Sequence, residues 1–476
     1  MMLALEALPL VLLVALLASG RVTPARAAVV GLLASLPALA AVTGPAGLPA
    51  FLLRASAEGA WLGLQPIAVV SAGLLFHGAV LRPDAAPGDA GTIRPAGEDA
   101  GASREMLFSV AFLGGPFLES VTGFGVGMVF ALGSLRRAGL SGAAMTCVGV
   151  FALLLVPWGG LGPGTMLGAA LAEVDVAAMA QVNALLSAAW LFAMLGLFWR
   201  LAARLGRRAG WRTRAAEAGW TAALGALLVA GNHLLPVELC GIAATGPLLL
   251  LRHRDRIADP AARRAAIPYV ALAAALLASR LLPGIGPWLG AQMWRPFAGL
   301  PGLPLNHASM VLGLVALALL ARRTDAPAVV RAALARARRS ALAMLLLVVF
   351  ARWLAAAGIA ASLAQSLAAA AGQAAPFTAP LLATAAGFFV GTNVGSNSAT
   401  MPLVAALSAG TELPPALLPA VQNFCGSAAV LLAPPVLALA TGIAGDRIEP
   451  RAIWRLMWPL APAAILVSWV AIALAR

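Results

Sequence analysis

Lysine is absent from the 476 residues, and all 32 basic side chains are arginine. P-loop nucleotide chemistry, lysine Schiff bases and pyridoxal phosphate attachment each need an ε-amine, so those enzyme classes are excluded. Charge of either sign is scarce: 11% of residues are charged, against about 25% in soluble globular proteins. The three cysteines, Cys147, Cys240 and Cys425, lie in apolar runs without C-x-x-C spacing. That pattern argues for buried thiols and against a disulfide framework or a zinc site. The histidines His77, His233, His253 and His307 have no i,i+4 pairing, so no metal site is expected.

What the sequence has in excess is apolar surface. Hydrophobic residues make up 61% of the chain, more than a water-soluble core hides, and the reading is an all-α polytopic membrane protein. A spanning helix needs about 20 largely apolar residues. Such runs lie near 3–19, 27–45, 60–81, 140–158, 177–199, 218–236, 238–251, 265–283, 306–321, 340–360, 417–443 and 453–475. About twelve transmembrane helices are therefore expected. The net charge of +14 is gathered between these runs, at Arg21 and Arg26, Arg136 and Arg137, Arg200 to Arg214, Arg252 to Arg264, Arg322 to Arg339, and Arg447 to Arg455. Cytoplasmic loops are enriched in arginine, so the clusters orient the helices and require no nucleic acid. With the clusters inside, both termini lie outside. Trp199, Trp220, Trp454 and Trp458 sit beside clusters, as an interfacial belt would. The run Leu8 to Ala18 followed by Ala25-Arg26-Ala27 resembles a signal peptide, but Glu6 and the lack of a basic leader favour an uncleaved first helix.

Two stretches do not read as simple spans. In 105–135, two short apolar arms flank Leu118-Glu119-Ser120-Val121-Thr122-Gly123-Phe124-Gly125-Val126-Gly127; in 376–409, two more flank Gly391-Thr392-Asn393-Val394-Gly395-Ser396-Asn397-Ser398. Each reads as a re-entrant hairpin with a polar, glycine-rich tip, tolerated at membrane depth where it faces protein or water. The first enters from the cytoplasm, because Arg136 and Arg137 follow it, and the second from the opposite face. Interrupted segments in corresponding positions of two halves mark an inverted-repeat transporter with its site at the midplane. The expected organisation is an N-terminal half over 1–251 with its hairpin near 105–135, connecting helices and a basic cytoplasmic loop over 252–339, and a C-terminal half over 340–476 with its hairpin near 376–409.

The block Phe117 to Gly125, together with Gly391 to Ser398 followed by Leu418 to Thr441, resembles the bacterial L-lactate permease family of 2-hydroxymonocarboxylate transporters. Phe117-Leu118-Glu119 followed by Gly123-Phe124-Gly125 is similar to that family's F-L-E-x-x-x-G-F-G signature. The resemblance implies uptake of lactate or glycolate with a proton, without ATP or a bound cofactor, by a multi-pass protein of the bacterial inner membrane. The chain departs from the family pattern in three places. Asn393 stands where the lactate carriers have an acidic residue, Val430 to Ala433 and Pro434-Pro435-Val436 replace a lysine and Ser-Pro-Gln-Ser, and Val150 to Pro157 replace Asn-Thr-Ala-Pro. Another small organic anion, or sodium as the coupling ion, remains the alternative within transport. An intramembrane enzyme would call for paired carboxylates, often with a metal, whereas the acidic residues here are scattered. A subunit of a membrane complex gives no reason for two polar tips of opposite direction. A homo-oligomer stays open.

Glu119 lies between apolar residues, where an ionised carboxylate costs several kcal/mol unless paired or hydrated. It is the expected proton-coupling residue, because a proton there removes a negative charge beside an anionic substrate. Its other reading is a structural carboxylate that caps a half-helix or pairs with an arginine. Substrate contacts are expected from Ser120, Thr122, Gly123 and Gly125 at the first tip and from Thr392, Asn393, Ser396, Asn397 and Ser398 at the second. Backbone N–H groups of half-helix N-termini would add donors, although the same residues also serve turns and caps. Gln422, Asn423 and Ser427 interrupt the following helix, with Asn423 preferred because Gly426 permits unwinding. Arg352 falls mid-run in 340–360 and needs a carboxylate partner, either Glu119, the substrate or a structural acid. Arg280 reads as a snorkelling residue and Glu238 as interfacial.

Overall fold

The computed structural model describes residues 2–80, 103–123, 125–256, 259–445 and 448–476. Leu81, Phe124 and Arg447, expected in a span, in the first motif and in an arginine cluster, lie outside the described residues. The rest is helical almost throughout. In chain order the helices are α1 (Met2–Ala18), α2 (Pro24–Thr43), α3 (Leu48–Val80), α4 (Arg104–Phe108), α5 (Gly115–Thr122), α6 (Val126–Arg137), α7 (Gly142–Val150) and α8 (Pro163–Ala172). There follow α9 (Val176–Arg204), α10 (Trp211–Leu234), α11 (Val237–Arg252), α12 (Pro260–Leu281), α13 (Ile285–Ala291), α14 (Ala308–Leu320) and α15 (Ala326–Ala356). The last seven are α16 (Ile359–Ala371), α17 (Ala379–Val390), α18 (Asn393–Ala409), α19 (Leu417–Val430), α20 (Pro434–Ala444), α21 (Pro450–Met457) and α22 (Leu460–Leu474). A two-residue antiparallel pair, β1 (Met293–Trp294) with β2 (Leu303–Pro304), closes the loop before α14.

Among the described residues eight helical stretches are long and apolar enough to cross a bilayer, or nine if the bent pair 266–281 and 285–291 counts as one. Seven of the eight fall on expected spans; the eighth, 359–390, includes the first arm of the second hairpin. The expected spans at 3–19 and 306–321 are apolar but shorter, as α1 and α14. The chain is thus an all-α, multi-pass membrane protein.

Lipid tails are as apolar as leucine, so packing has to come from close contact between helices. The long antiparallel pair α3 and α15 shows how this is done: a Cβ on Gly59 would lie 2.8 Å from Val349 Cα, and Gly63 and Gly78 admit Leu345 and Val329 in the same way. Around this pair, α5–α6 and α17–α18 each fold back on themselves. Gly127 of α6 lies against Gly115 O and Glu119 of α5, so the chain reverses at 123–125. Gly387 of α17 and Ser396 of α18 both meet Gly426 of α19, so the second reversal is at Gly391–Thr392. Each hairpin is followed by a broken helix. After α7 the chain passes through 3-10 turns at Phe151–Leu153 and Val156–Leu161, where Gly160, Leu161 and Gly162 all have positive φ, before α8 begins. After α19 it breaks at Leu431 to Ala433, and Pro434 and Pro435 open α20.

Both helical hairpins pack on the broken helix α19–α20. Arg136, at the base of the first, donates to Ile443 O at the far end of α20 (2.8 Å), while its tip residue Gly125 faces Leu439. Gly391, at the tip of the second, meets Pro435 at the start of α20, and its arms run back alongside α19. The broken helix α19–α20 therefore carries one hairpin on each of its halves.

Candidate functional site

At the first tip, Gly123 ends α5 with φ 71° and returns its N–H to Glu119 O at 2.8 Å. The Glu119 side chain then reaches across the turn. Oε1 accepts from Gly125 N and Oε2 from Gly127 N, each at 3.0 Å, and the residue is buried. The first N–H groups of α6, which would otherwise attract an anion, are occupied by the chain's own carboxylate. The Thr122 hydroxyl donates back to Leu118 O at 2.6 Å. Ser120 is turned toward Gly241 of α11, and its Oγ has no hydrogen-bond partner among the described residues.

The second tip is built differently. Thr392 caps α18 by accepting from Gly395 N at 3.0 Å, and the first turn of α18 contains no acidic residue. Behind the tip is a buried amide network. Asn397 Nδ2 lies 2.8 Å from Asn423 Oδ1, 2.9 Å from Gly164 O and 3.2 Å from Asn393 Oδ1. Asn423 Nδ2 donates to Thr165 Oγ1 at 3.0 Å, and that hydroxyl donates to Pro157 O at 2.6 Å. Gln422 Nε2 reaches Ser396 Oγ at 3.3 Å. Ser398 only bonds its own helix, at Val394 O. Asn393 Nδ2, Asn397 Oδ1, Gln422 Oε1 and Ser427 Oγ are buried without partners among the described residues. Left without any partner, each such group costs about 1–3 kcal/mol, and these four lie within the neighbouring helices α18 and α19.

The segment 156–162 lies between the two tips. On one side Gly123 rests on Gly160 with backbone against backbone, and Gly159 adjoins the Glu119 side chain. On the other side Pro157 O anchors Thr165, and α8 presses Gly164 and Gly168 against Asn393 and Asn397. Side chains there would collide: a Cβ on Gly164 would lie 2.6 Å from Asn393 Nδ2, and one on Gly168 2.7 Å from Asn397 Nδ2. The structure thus joins Asn393, Ser396, Asn397 and Asn423 into one cluster and links it to Glu119, Gly123 and Gly125 through the broken helix. Gly164, Thr165 and Pro157 were not among the expected site residues. Their signal was present in Gly159-Gly160-Leu161-Gly162-Pro163-Gly164, a third glycine-rich interruption between two apolar runs.

Arg352 is elsewhere. Its guanidinium is held by Glu58 of α3, with Nη2 to Oε2 at 2.7 Å, and Glu173 lies 3.9 Å away. Glu58 also accepts from Arg54 at 2.9 Å. Arg280 and Glu238 pair with each other at 2.8 Å. On the face of α8 away from the amide network is a cavity of about 240 Å³ between α3 and α8, lined by Leu62, Pro66, Val69, Pro163, Met166 and Leu167.

The L-lactate permease family model matches residues 307–456. The recognition read from the hairpin motifs holds over that stretch, which contains the second hairpin, Asn423 and α20 but not Glu119. Comparison with curated proteins gives no match. Among solved structures, the chain is similar to the Alcanivorax borkumensis YdaH transporter, described as having an unusual topology. The likeness has a TM-score of 0.46 at 16% identity and covers 88% of this chain and 85% of that one.

Proposed function

We propose that the protein is a secondary transporter of the bacterial inner membrane that imports a small 2-hydroxymonocarboxylate such as L-lactate or glycolate by proton symport. The observation that carries this reading is the contrast between the two tips. The helix that leaves the first tip has its N–H groups filled by Glu119, while the helix that leaves the second has no acidic residue there and has Asn393 Nδ2 unpartnered beside it. A carboxylate suits the second tip, with the dipole of α18 and the Asn393 amide as donors. The unpartnered Gln422 Oε1 and Ser427 Oγ suit the substrate hydroxyl.

Glu119 couples a proton to this site through geometry. Ionised, it accepts from both Gly125 and Gly127 and holds the first tip closed on Gly160. A protonated carboxyl loses most of the accepting capacity of one oxygen, so proton uptake loosens the tip that seals one side of the cluster. Opposite hairpins, re-entrant from the two membrane faces, would then open in turn, with Ser120, Thr122 and Gly123 exposed as the first one moves. The test is uptake of labelled lactate and glycolate into sealed proteoliposomes under an inward proton gradient. Saturable uptake that collapses with a protonophore supports the proposal. No uptake of either acid by correctly reconstituted protein would overturn it.

A further inference from the structure

The Asn397 side chain carries a mismatch that its surroundings do not correct. Its Nδ2 faces three oxygens at 2.8, 2.9 and 3.2 Å, from Asn423, Gly164 and Asn393. An amide nitrogen has two hydrogens, so one of the three is left unserved. Its own Oδ1, meanwhile, has no partner among the described residues, although Asn397 is fully buried. Two of the three oxygens cannot turn away. Gly164 O belongs to the backbone of α8. Asn423 Oδ1 is fixed because its Nδ2 donates to Thr165 Oγ1, whose own proton is committed to Pro157 O. Reversing Asn423 would set its carbonyl oxygen against a hydroxyl that has no proton left to give.

We infer that this convergence is a binding site for a dehydrated alkali cation. A half-turn of the Asn397 amide exchanges Nδ2 for Oδ1 and brings a fourth oxygen up to Asn423 Oδ1, Gly164 O and Asn393 Oδ1, at about the distances Nδ2 now holds, an oxygen cluster that a cation between them would satisfy. Neutral amide and carbonyl oxygens at unwound or terminal segments of membrane helices are the ligands such cations take. None of the four is a carboxylate, so a divalent ion would find its charge uncompensated, whereas a monovalent one is balanced by a single anionic substrate. The cage draws Gly164 from α8 and the rest from α18 and α19, so an ion within it ties together elements of both broken-helix systems. The inference deepens the carboxylate reading and rests on it for the anion: Asn393, proposed to meet the carboxylate, is one helical turn from Asn397, and two opposite charges that close strengthen each other's binding. Cation binding itself does not depend on which anion is carried.

The experiment uses full-length protein in detergent with no carboxylate present. Thermal unfolding is followed by tryptophan fluorescence in sodium, potassium or choline chloride at matched ionic strength. Sodium or potassium raises the midpoint by several degrees with saturable concentration dependence, choline does not, and comparison of the two alkali arms names the ion. Asn393→Asp keeps the side-chain size, breaks no hydrogen bond of Nδ2, which has no partner among the described residues, and adds one negative charge to a ligand of the cage, so half-saturation moves to about tenfold lower cation concentration. Thr165→Val releases Asn423 without removing any of the four oxygens, and half-saturation rises. Equal midpoints in all three salts for the wild type, or an unchanged half-saturation in Asn393→Asp, would overturn the inference and leave carboxylate uptake to stand on its own measurement. A cation-specific shift in a protein that takes up neither lactate nor glycolate leaves the cage in place and removes the transport reading instead.

Discussion

Gly123 and Gly160 meet with no side chain between them: a Cβ on Gly123 would stand 2.9 Å from Gly160 Cα, and one on Gly160 would stand 3.1 Å from Gly123 Cα. Gly123 also has φ 71° and ψ −168°, a region that is essentially reserved for glycine and costs other residues about 1–3 kcal/mol. Gly123→Ala is therefore expected to lower the unfolding midpoint and to abolish uptake, because it pushes the first tip off the broken helix. Thermal unfolding and vesicle uptake of the same preparation check this. Wild-type transport by the alanine variant would remove the tip contact from the mechanism.

Glu119→Gln replaces two acceptor oxygens by one. One of the N–H groups of Gly125 and Gly127 then faces an amide NH2, at a cost of about 1.5–3 kcal/mol for a hydrogen bond to a charged group. Proton-driven accumulation is expected to disappear, while exchange of labelled for unlabelled substrate across the membrane, which needs no net proton movement, persists. Loss of both activities together would assign Glu119 to the architecture of the hairpin alone.

Both hairpins were legible in the sequence because a polar, glycine-rich tip between two short apolar arms has few other readings in a chain this apolar. The hydrogen-bond partners of Glu119 were not: they are backbone N–H groups six and eight residues ahead, and only the fold of the turn brings them round. The third interruption, 159–164, lay between two expected spans without a serine or asparagine of its own to draw attention. Its role follows from what it touches, Gly123 on one side and Asn393 and Asn397 on the other. Glu58, the partner of Arg352, is 294 positions away in the chain, and no spacing rule reaches that far.

Arg352→Gln breaks the pair with Glu58 and leaves Glu58 to Arg54, whose side chain is largely exposed. Arg352 itself is one-fifth exposed, so the loss is smaller than for a fully buried pair, about 1–3 kcal/mol. The expected result is a lower unfolding midpoint with an unchanged KM for the carboxylate. A KM that rises while the midpoint stays put would bring Arg352 back to the substrate.

Asn393→Ala separates stability from affinity at the second tip. The Nδ2 that the substitution removes has no partner among the described residues, so the one hydrogen bond the fold loses is that of Oδ1 with Asn397 at 3.2 Å, worth about 1 kcal/mol, together with the packing of the side chain against Gly164. The substrate loses a donor to its carboxylate, and a hydrogen bond to a charged group contributes about 1.5–3 kcal/mol. KM is therefore expected to rise by roughly 10- to 100-fold while the unfolding midpoint moves little. Kinetics of uptake over a wide concentration range, on protein whose unfolding has been measured in parallel, give both numbers. A large fall in midpoint with KM unchanged would mean that the Asn393 amide serves the network behind the tip, and the carboxylate would have to be sought at Gln422 and Ser427.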